Sequence, residues 1–429
     1  MADTIFALSS GAPPAAIGII RVSGPQAGNV LERLSGRLPI PRRATLALLC
    51  APDTTEPLDR ALLLWFPGPA TATGEDLAEL HCHGGRAVVE AILSALATVP
   101  GLRAAMPGEF TRRAFDNGRM DLNAVEGLAD LLTAETQQQR RAALAMAEGH
   151  FSRRIEGWRQ TLLQLSAMTE AALDFSDEDD VPDAEIEERI GAGIATLAHE
   201  VAVDLARPTA ERLRDGIRVA LAGPPNAGKS TLLNALAGRE AAIVSDIAGT
   251  TRDRIEVPVA IGGVPFLLTD TAGLRDETDD AIEAIGIARA RDAVAAADII
   301  LWLGDPLTPP RADAILIVAQ ADRLHHPLTI AGTIPLSAMT GQGMDALHSE
   351  LITRAARLLP AEGDYALQAR QRDAAGILHH HLLAAADTGD LLILAEELRA
   401  ARGAIDRLTG RAGTEDMLDT LFSGFCIGK

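Results

Sequence analysis

The rhythm of apolar and polar residues changes several times along the chain, and each rhythm predicts a different kind of structure. From residue 1 to about 118, short apolar runs such as Ile17-Gly-Ile-Ile20 and Ala61-Leu-Leu-Leu-Trp-Phe66 are punctuated by Gly and Pro, with helical stretches between them. Short apolar runs bounded by turn residues predict strands, so this region reads as α+β. From about 120 to 212 the punctuation nearly vanishes. Leu, Ala, Glu, Arg and Gln recur at helical spacing through Leu122 to Met146 and Trp158 to Leu173, which predicts long helices. An acidic run from Asp174 to Glu188, around Pro182, interrupts them and reads as a solvated face or a linker.

Between about 215 and 357 the pattern changes again. Val219-Ala-Leu-Ala222, Phe266-Leu-Leu268, Ile299-Ile-Leu-Trp-Leu303 and Ile315-Leu-Ile-Val318 alternate with helical segments. That alternation predicts a parallel sheet of the doubly wound kind. After Pro360 the helical pattern resumes, through Leu391 to Leu398 and Met417 to Phe422. The expected architecture is therefore multidomain: α+β over residues 1–118, a discontinuous helical domain over 119–213 and 358–429, and an α/β domain over 214–357 inserted between the helical halves.

Composition narrows the setting. A chain of 429 residues, 47% of them hydrophobic, can fill several cores, which excludes disorder throughout and collagen-like repetition. Cys50, Cys82 and Cys426 are odd in number and far apart, so they suit a reducing compartment rather than a disulfide framework. Met1-Ala-Asp-Thr-Ile-Phe carries an acid where a secretory signal carries basic residues, and no uninterrupted apolar run reaches the roughly 18 residues of a bilayer span. The expectation is a cytoplasmic protein without a membrane span. A formal charge of −20 opposes non-specific attraction to a polyanion. The pairs Arg112-Arg113, Arg140-Arg141 and Arg153-Arg154 read as solvated faces. His81 and His83 share one face of a strand while Cys82 points to the other, which argues against a zinc site. His379-His380-His381 falls in a helical stretch and reads as a polar face.

Only two of the 39 basic residues are lysine, Lys229 and Lys429. Lysine is a compact, rotatable point charge, unlike the planar arginine fork, so both positions are singled out. Lys229 lies in Gly223-Pro-Pro-Asn-Ala-Gly-Lys229-Ser230, after a predicted strand and before the helix-forming run Thr231 to Leu236. This is the context of a phosphate-binding loop: Asn226, Ala227, Gly228, Lys229, Ser230 and Thr231 wrap a polyphosphate, and the Ser230 hydroxyl suits Mg²⁺. Asp270-Thr271-Ala272-Gly273 ends the Phe266 strand and brings a carboxylate near the metal and the Gly273 amide near a γ-phosphate. Upstream, Gly249-Thr250-Thr251 offers Thr251 as a second hydroxyl ligand for Mg²⁺. The ordered trio is specific for a nucleotide-switch fold. Ala319-Gln320-Ala321-Asp322 keeps only the Asp of the guanine-reading Asn-Lys-x-Asp pattern, and Ser337-Ala338 matches the last guanine-contacting loop. Together they favour GTP over ATP.

Beyond these loops, the chain resembles the bacterial tRNA modification GTPase MnmE (TrmE) family over essentially its whole length. Ile17-Gly-Ile-Ile-Arg-Val-Ser-Gly24, Thr73-Gly-Glu-Asp-Leu-Ala-Glu-Leu-His-Cys-His-Gly-Gly85, Pro107-Gly-Glu-Phe-Thr-Arg-Arg-Ala-Phe115 and Asn117-Gly-Arg-Met-Asp-Leu122 are similar to that family's folate-binding and dimerising region. Phe425-Cys-Ile-Gly-Lys429 is similar to its C-terminal motif. The resemblance implies a folate-binding-like N-terminal domain and an inserted Ras-like GTPase domain. It also implies an enzyme that, with a flavin-dependent partner of the MnmG family in a heterotetramer, installs an aminomethyl or carboxymethylaminomethyl group on C5 of the wobble uridine, position 34, of certain tRNAs. The implied folate contacts are Arg21, Glu79, Arg119 and Lys429, to a 5,10-methylene or 5-formyl tetrahydrofolate. The implied dimer is switched on by K⁺, held by Asn226, Ser245, Ile247 and Thr250 in the loop Ser245-Asp246-Ile247-Ala248-Gly249-Thr250. Glu283 is the implied water-orienting residue, and Cys426 is a catalytic candidate. Two other readings compete: a GTP-dependent RNA or ribosome assembly factor without modifying chemistry, and a structural folate-binding protein with a decaying GTPase.

Overall fold

Cross-strand pairing of alternately buried residues builds the first sheet. In this computed structural model the described residues are all but 1–2, 53, 175–182, 240–255, 272–290, 324–329, 362–363, 412–414, 426 and 429. They form two compact units, Met1–Ala129 with Asp406–Lys429, and Asp130–Ile405.

In the first unit, β1 (Thr4–Leu8), β2 (Ile17–Ser23), β3 (Thr45–Cys50), β4 (Pro57–Phe66), β5 (Leu77–His83) and β6 (Leu102–Ala104) form a sheet of order β3-β4-β5-β2-β1-β6. All pairs are antiparallel except β1 with β6. Ile20, Val22, Leu63, Leu80 and Cys82 face helices Ala27–Ser35 and Arg86–Ala97 and share a core with Leu31, Ile92 and Leu96. On the other face Phe110, from helix Glu109–Asp116, packs with Ile5 and Ala7. Leu46, Leu48 and Leu62, at the β3–β4 end, remain exposed. The chain's C-terminal stretch belongs to this unit. Phe422 and Phe425 pack with Val125, Ile427 bridges Pro107, and the Ser9 hydroxyl donates to the Gly428 carbonyl at 2.9 Å.

The second unit holds the second sheet and most of the long helices. The expected continuous helix from 122 to 146 is two, Leu122–Thr133 and Gln137–Ala147. A capping box makes the break: Thr136 Oγ1 accepts from the Gln139 N–H at 3.2 Å, and Gln139 Oε1 accepts from the Thr136 N–H at 2.8 Å. Helix Asp183–Leu205 packs against both His150–Asp174 and Ala369–Asp387. Helical segments on either side of the α/β insert thus share one bundle, as the pattern predicts. Its fully buried Asp204 accepts from Arg154 at 2.9 Å, Arg207 at 2.6 Å and the Tyr365 hydroxyl at 2.9 Å. Burial and the Asp204 charge raise the Tyr365 phenol well above its ordinary value. Arg154 is therefore a structural partner rather than part of a solvated face. So is Arg113 in the first unit, which is 12% exposed and bonded to Asp3, Glu75 and Glu109.

The α/β layer contains β7 (Ile217–Ala222), β8 (Glu256–Ile261), β9 (Val264–Asp270), β10 (Ile299–Trp302), β11 (Ile315–Val318) and β12 (Thr333–Pro335) in the order β12-β11-β10-β7-β9-β8. The predicted parallel sheet holds for all pairs but one, because edge strand β8 runs antiparallel to β9. Gly262-Gly263, both at positive φ, turns the chain between them. Val219, Leu221, Leu268 and Leu301 pack with Leu232 and Leu236 of helix Lys229–Arg239 and with Leu347 and Leu351 of helix Met344–Ala355.

Candidate nucleotide site

Strands β7, β9, β11 and β12 all end at one edge of the second sheet, and the loops that follow carry the nucleotide candidates. In open α/β sheets this carboxyl edge is where ligands bind. After β7, Gly223 takes φ 154° where a Cβ would stand 3.1 Å from the Leu303 carbonyl carbon, so only glycine fits the close pass. Asn226 and Gly228 take φ 62° and 93°, and the chain then enters the helix at Lys229. Asn tolerates the left-handed region better than most residues, which suits it to this turn.

Lys229 is 4% exposed, and its ammonium donates to the carbonyls of Gly223 at 2.9 Å and Pro224 at 2.8 Å. The charge is thereby held at the mouth of the loop rather than extended into water. Ser230 Oγ donates to Asp270 Oδ2 at 2.5 Å, so the hydroxyl expected to hold Mg²⁺ meets the carboxylate expected near the metal. Hydroxyl and carboxylate oxygens form the hard donor set such an ion requires. Thr271 is fixed beside them, since its hydroxyl donates to the Leu221 carbonyl at 2.8 Å. Ala227 packs on the sheet core, and Thr231 is exposed in the first turn of the helix.

The base-reading loops are joined to each other. The Ala321 N–H donates to the Leu336 carbonyl at 3.1 Å, bringing the turn holding exposed Asp322 beside the 336–342 loop. Ser337 is 1% exposed, its hydroxyl accepts from the Thr340 N–H at 3.2 Å, and Ala338 packs on the core. Gln320, standing where the guanine pattern has Lys, takes φ 56°. Ser245, Asp246, Ile247, Ala248, Gly249, Thr250, Thr251, Ala272, Gly273 and Glu283 lie outside the described residues.

The N-terminal unit brings together part of the second candidate set. Arg21 and Glu79 are cross-strand partners on β2 and β5, paired at 2.9 Å, and the Arg21 guanidinium lies 5.8 Å from the Phe110 ring centroid. Burial opposes the Glu79 charge, but bonds from His81 and Arg21 outweigh it and hold the carboxyl below its usual range. Arg119 Nε donates to the Thr71 carbonyl at 3.1 Å. Cys426 and Lys429 lie outside the described residues, next to anchored Ile427 and Gly428. Among the described residues no group of three or more His, Cys, Asp and Glu is arranged to hold a metal ion. No described helix is long and apolar enough to cross a membrane.

A family model described as the MnmE helical domain matches residues 122–426, and one described as the GTP-binding protein TrmE N-terminus matches residues 4–119. The chain is 61% identical over 429 residues to the tRNA modification GTPase MnmE of Rhizorhabdus wittichii, an alignment covering 100% of this chain and 97% of that one. The chain belongs to the MnmE family. A second member, from Novosphingobium aromaticivorans, is 57% identical over 437 residues, with 100% of both chains covered. Among solved structures, the G domain of the T. maritima FeoB iron transporter matches 32% of this chain and 98% of its own at 24% identity, with a TM-score of 0.22.

Sequence spacing marks the candidate phosphate loop of this MnmE family member but not the polar clusters that hold the N-terminal unit together. Glu75, within the Thr73-Gly-Glu-Asp block, accepts from Ser23 Oγ at 2.8 Å and from Arg113 at 3.0 Å. Asn117 Nδ2 donates to the Thr73 carbonyl at 2.8 Å, so these two motif blocks grip each other. Spacing in the chain carries no signal for such long-range pairs.

Proposed function

We propose that the protein is a K⁺-activated GTPase that, with a flavin-dependent partner of the MnmG family, adds an aminomethyl or carboxymethylaminomethyl group to C5 of the wobble uridine of certain tRNAs. The observation that carries the reading is the Ser230–Asp270 contact beside the Lys229 ammonium, within a chain matched end to end by proteins named tRNA modification GTPase.

In this reading the loop N–H groups from Asn226 to Thr231 orient the phosphates and Lys229 reaches the β and γ oxygens. Asp322, Ser337 and Ala338 receive the guanine. Ser230 and Thr251 would hold Mg²⁺, which when bound neutralises charge on the transferring phosphoryl group. Asn226, Ser245, Ile247 and Thr250 would hold K⁺; the Asn226 amide oxygen is a hard donor of the required kind. Ala272 and Gly273 would meet the γ-phosphate, and Glu283 would orient the attacking water. Arg21, Glu79, Arg119 and Lys429 would receive a tetrahydrofolate derivative, whose carboxylates suit the cations and whose pterin donor edge suits Glu79. Cys426 is the candidate catalytic thiol. Exposed Leu46, Leu48 and Leu62 share a sheet face with Arg21 and Glu79, and a second copy covering them would support a homodimer.

The test is GTP hydrolysis by the full chain in KCl and in NaCl. Hydrolysis is expected to be several-fold faster in KCl, and Lys229→Ala is expected to abolish nucleotide binding. Equal rates in the two salts would remove the K⁺ assignment, and equal competition by ATP would remove the guanine assignment. Glu283→Ala is expected to bind nucleotide normally while turnover falls about 10²-fold.

A further inference from the structure

The hairpin that ends at Asp270 has a second end. From Val264 to Asp270, β9 spans about 20 Å at ~3.3 Å per residue. One end supplies the carboxylate that meets Ser230, and the other is the Gly262-Gly263 turn. That turn meets the first turn of helix Gln137–Ala147. A helix's first N–H groups lack partners within the helix, and here the Gln138 N–H donates to the Gly263 carbonyl at 3.3 Å. Gln137 lies against the same glycine, where an added Cβ would sit 3.5 Å from the Gln137 Cβ.

The same glutamines hold both stretches of chain that join the α/β layer to the bundle. Gln138 Nε2 donates to the Pro360 carbonyl at 3.3 Å, on the outgoing stretch. Gln139 Nε2 donates to the Leu213 carbonyl at 3.0 Å, on the incoming one. A cleft of about 280 Å³, lined by Gln137, Gln138, Arg141, Gly263 and Ile352 among others, runs through this joint. Beside the cleft, Ala142 of the same helix shares the buried core with Ile261 and Val264, which flank the turn, so a displacement of the turn is carried to the helix by packing as well as by these hydrogen bonds.

We propose that Gln138 is a positioning residue that links the occupancy of the phosphate site, through β9 and its turn, to the helical bundle. This rests on the GTPase reading. Nothing in Gln138 touches nucleotide; it acts through Gly263 and Pro360.

Hydrogen–deuterium exchange of the full chain, with GDP and with a non-hydrolysable GTP analogue, tests it. Amides of the 137–147 helix are expected to exchange at rates differing about five-fold or more between the two nucleotides. Gln138→Met keeps the volume but removes the Pro360 bond. Gln138→Pro also removes the N–H that reaches Gly263, and proline is tolerated in a helix's first turn. The difference is expected to shrink in Gln138→Met and to vanish in Gln138→Pro, while the 228–236 segment keeps its nucleotide response. A purely structural role would change exchange equally in both nucleotide states. The inference is overturned if the native helix exchanges identically with either nucleotide, or if Gln138→Met retains the full difference. If neither nucleotide protects residues 228–236, the GTPase reading itself fails, and this inference fails with it.

Discussion

Lys229 and Gly428 illustrate two ways in which a single residue is fixed. Lys229 is fixed by chemistry: its ammonium rests on the Gly223 and Pro224 carbonyls, where a polyphosphate would meet it. Gly428 is fixed by space, because at φ 94° an added Cβ would stand 2.2 Å from the Leu8 carbonyl oxygen. Gly428→Ala is therefore expected to loosen the C-terminal stretch at a cost of about 1–3 kcal/mol, read as faster proteolysis of the tail with the second unit unaffected. Asp322→Asn exchanges an acceptor of the guanine N1 and N2 protons for a donor. It is expected to weaken GTP about 10-fold or more while improving xanthosine triphosphate; unchanged GTP affinity would take Asp322 out of the base site. The strand, turn and helix that carry the candidate phosphate loop were legible in the sequence because that pattern demands adjacent residues at fixed spacing. Asp204 was not, since Arg154 and Tyr365 reach it from distant parts of the chain and no local pattern records that meeting.

Among the elements, β7, β9, β10 and β11 followed directly from their apolar runs, because buried parallel strands are apolar on both faces. The two edge strands escaped that reading: β12 is only three residues long and β8, Glu256–Ile261, is interrupted by Pro258, although the Gly262-Gly263 that follows it signals a hairpin. The break at residues 134–136 was also readable, as Thr136 and Gln139 stand at capping-box spacing. Thr136→Ala should cost about 1 kcal/mol, measured by urea unfolding, with no stability change arguing against the cap. At the first unit's edge, burial works against the Glu109 charge. Bonds from Arg103, the Met106 N–H and Arg113 outweigh it and lower its pKa below the ordinary value. A carboxyl lowered on folding contributes stability that is fully present above its unfolded pKa of about 4.3 and is lost as pH falls through the folded value. Urea midpoints should therefore decline below about pH 4.3, and Glu109→Gln should flatten that decline.

For the whole molecule, a net charge of −20 shapes how any tRNA is met. Binding by the isolated chain should be weak and local, falling about 10-fold or more between 50 and 200 mM salt. A discontinuous helical bundle around an α/β insert was legible from the change of rhythm near residues 215 and 360, whereas the joint built by Gln137, Gln138 and Gln139 was visible only once the chain was folded. The central claim is that this family member supports wobble-uridine modification through its phosphate loop. Its most direct test is nucleoside mass spectrometry of bulk tRNA from a strain lacking the protein, complemented with the native chain or with Lys229→Ala. The account predicts that the C5-aminomethyl uridine disappears, returns with the native chain, and stays absent with Lys229→Ala. Persistence of the modified nucleoside in the deletion strain would contradict it.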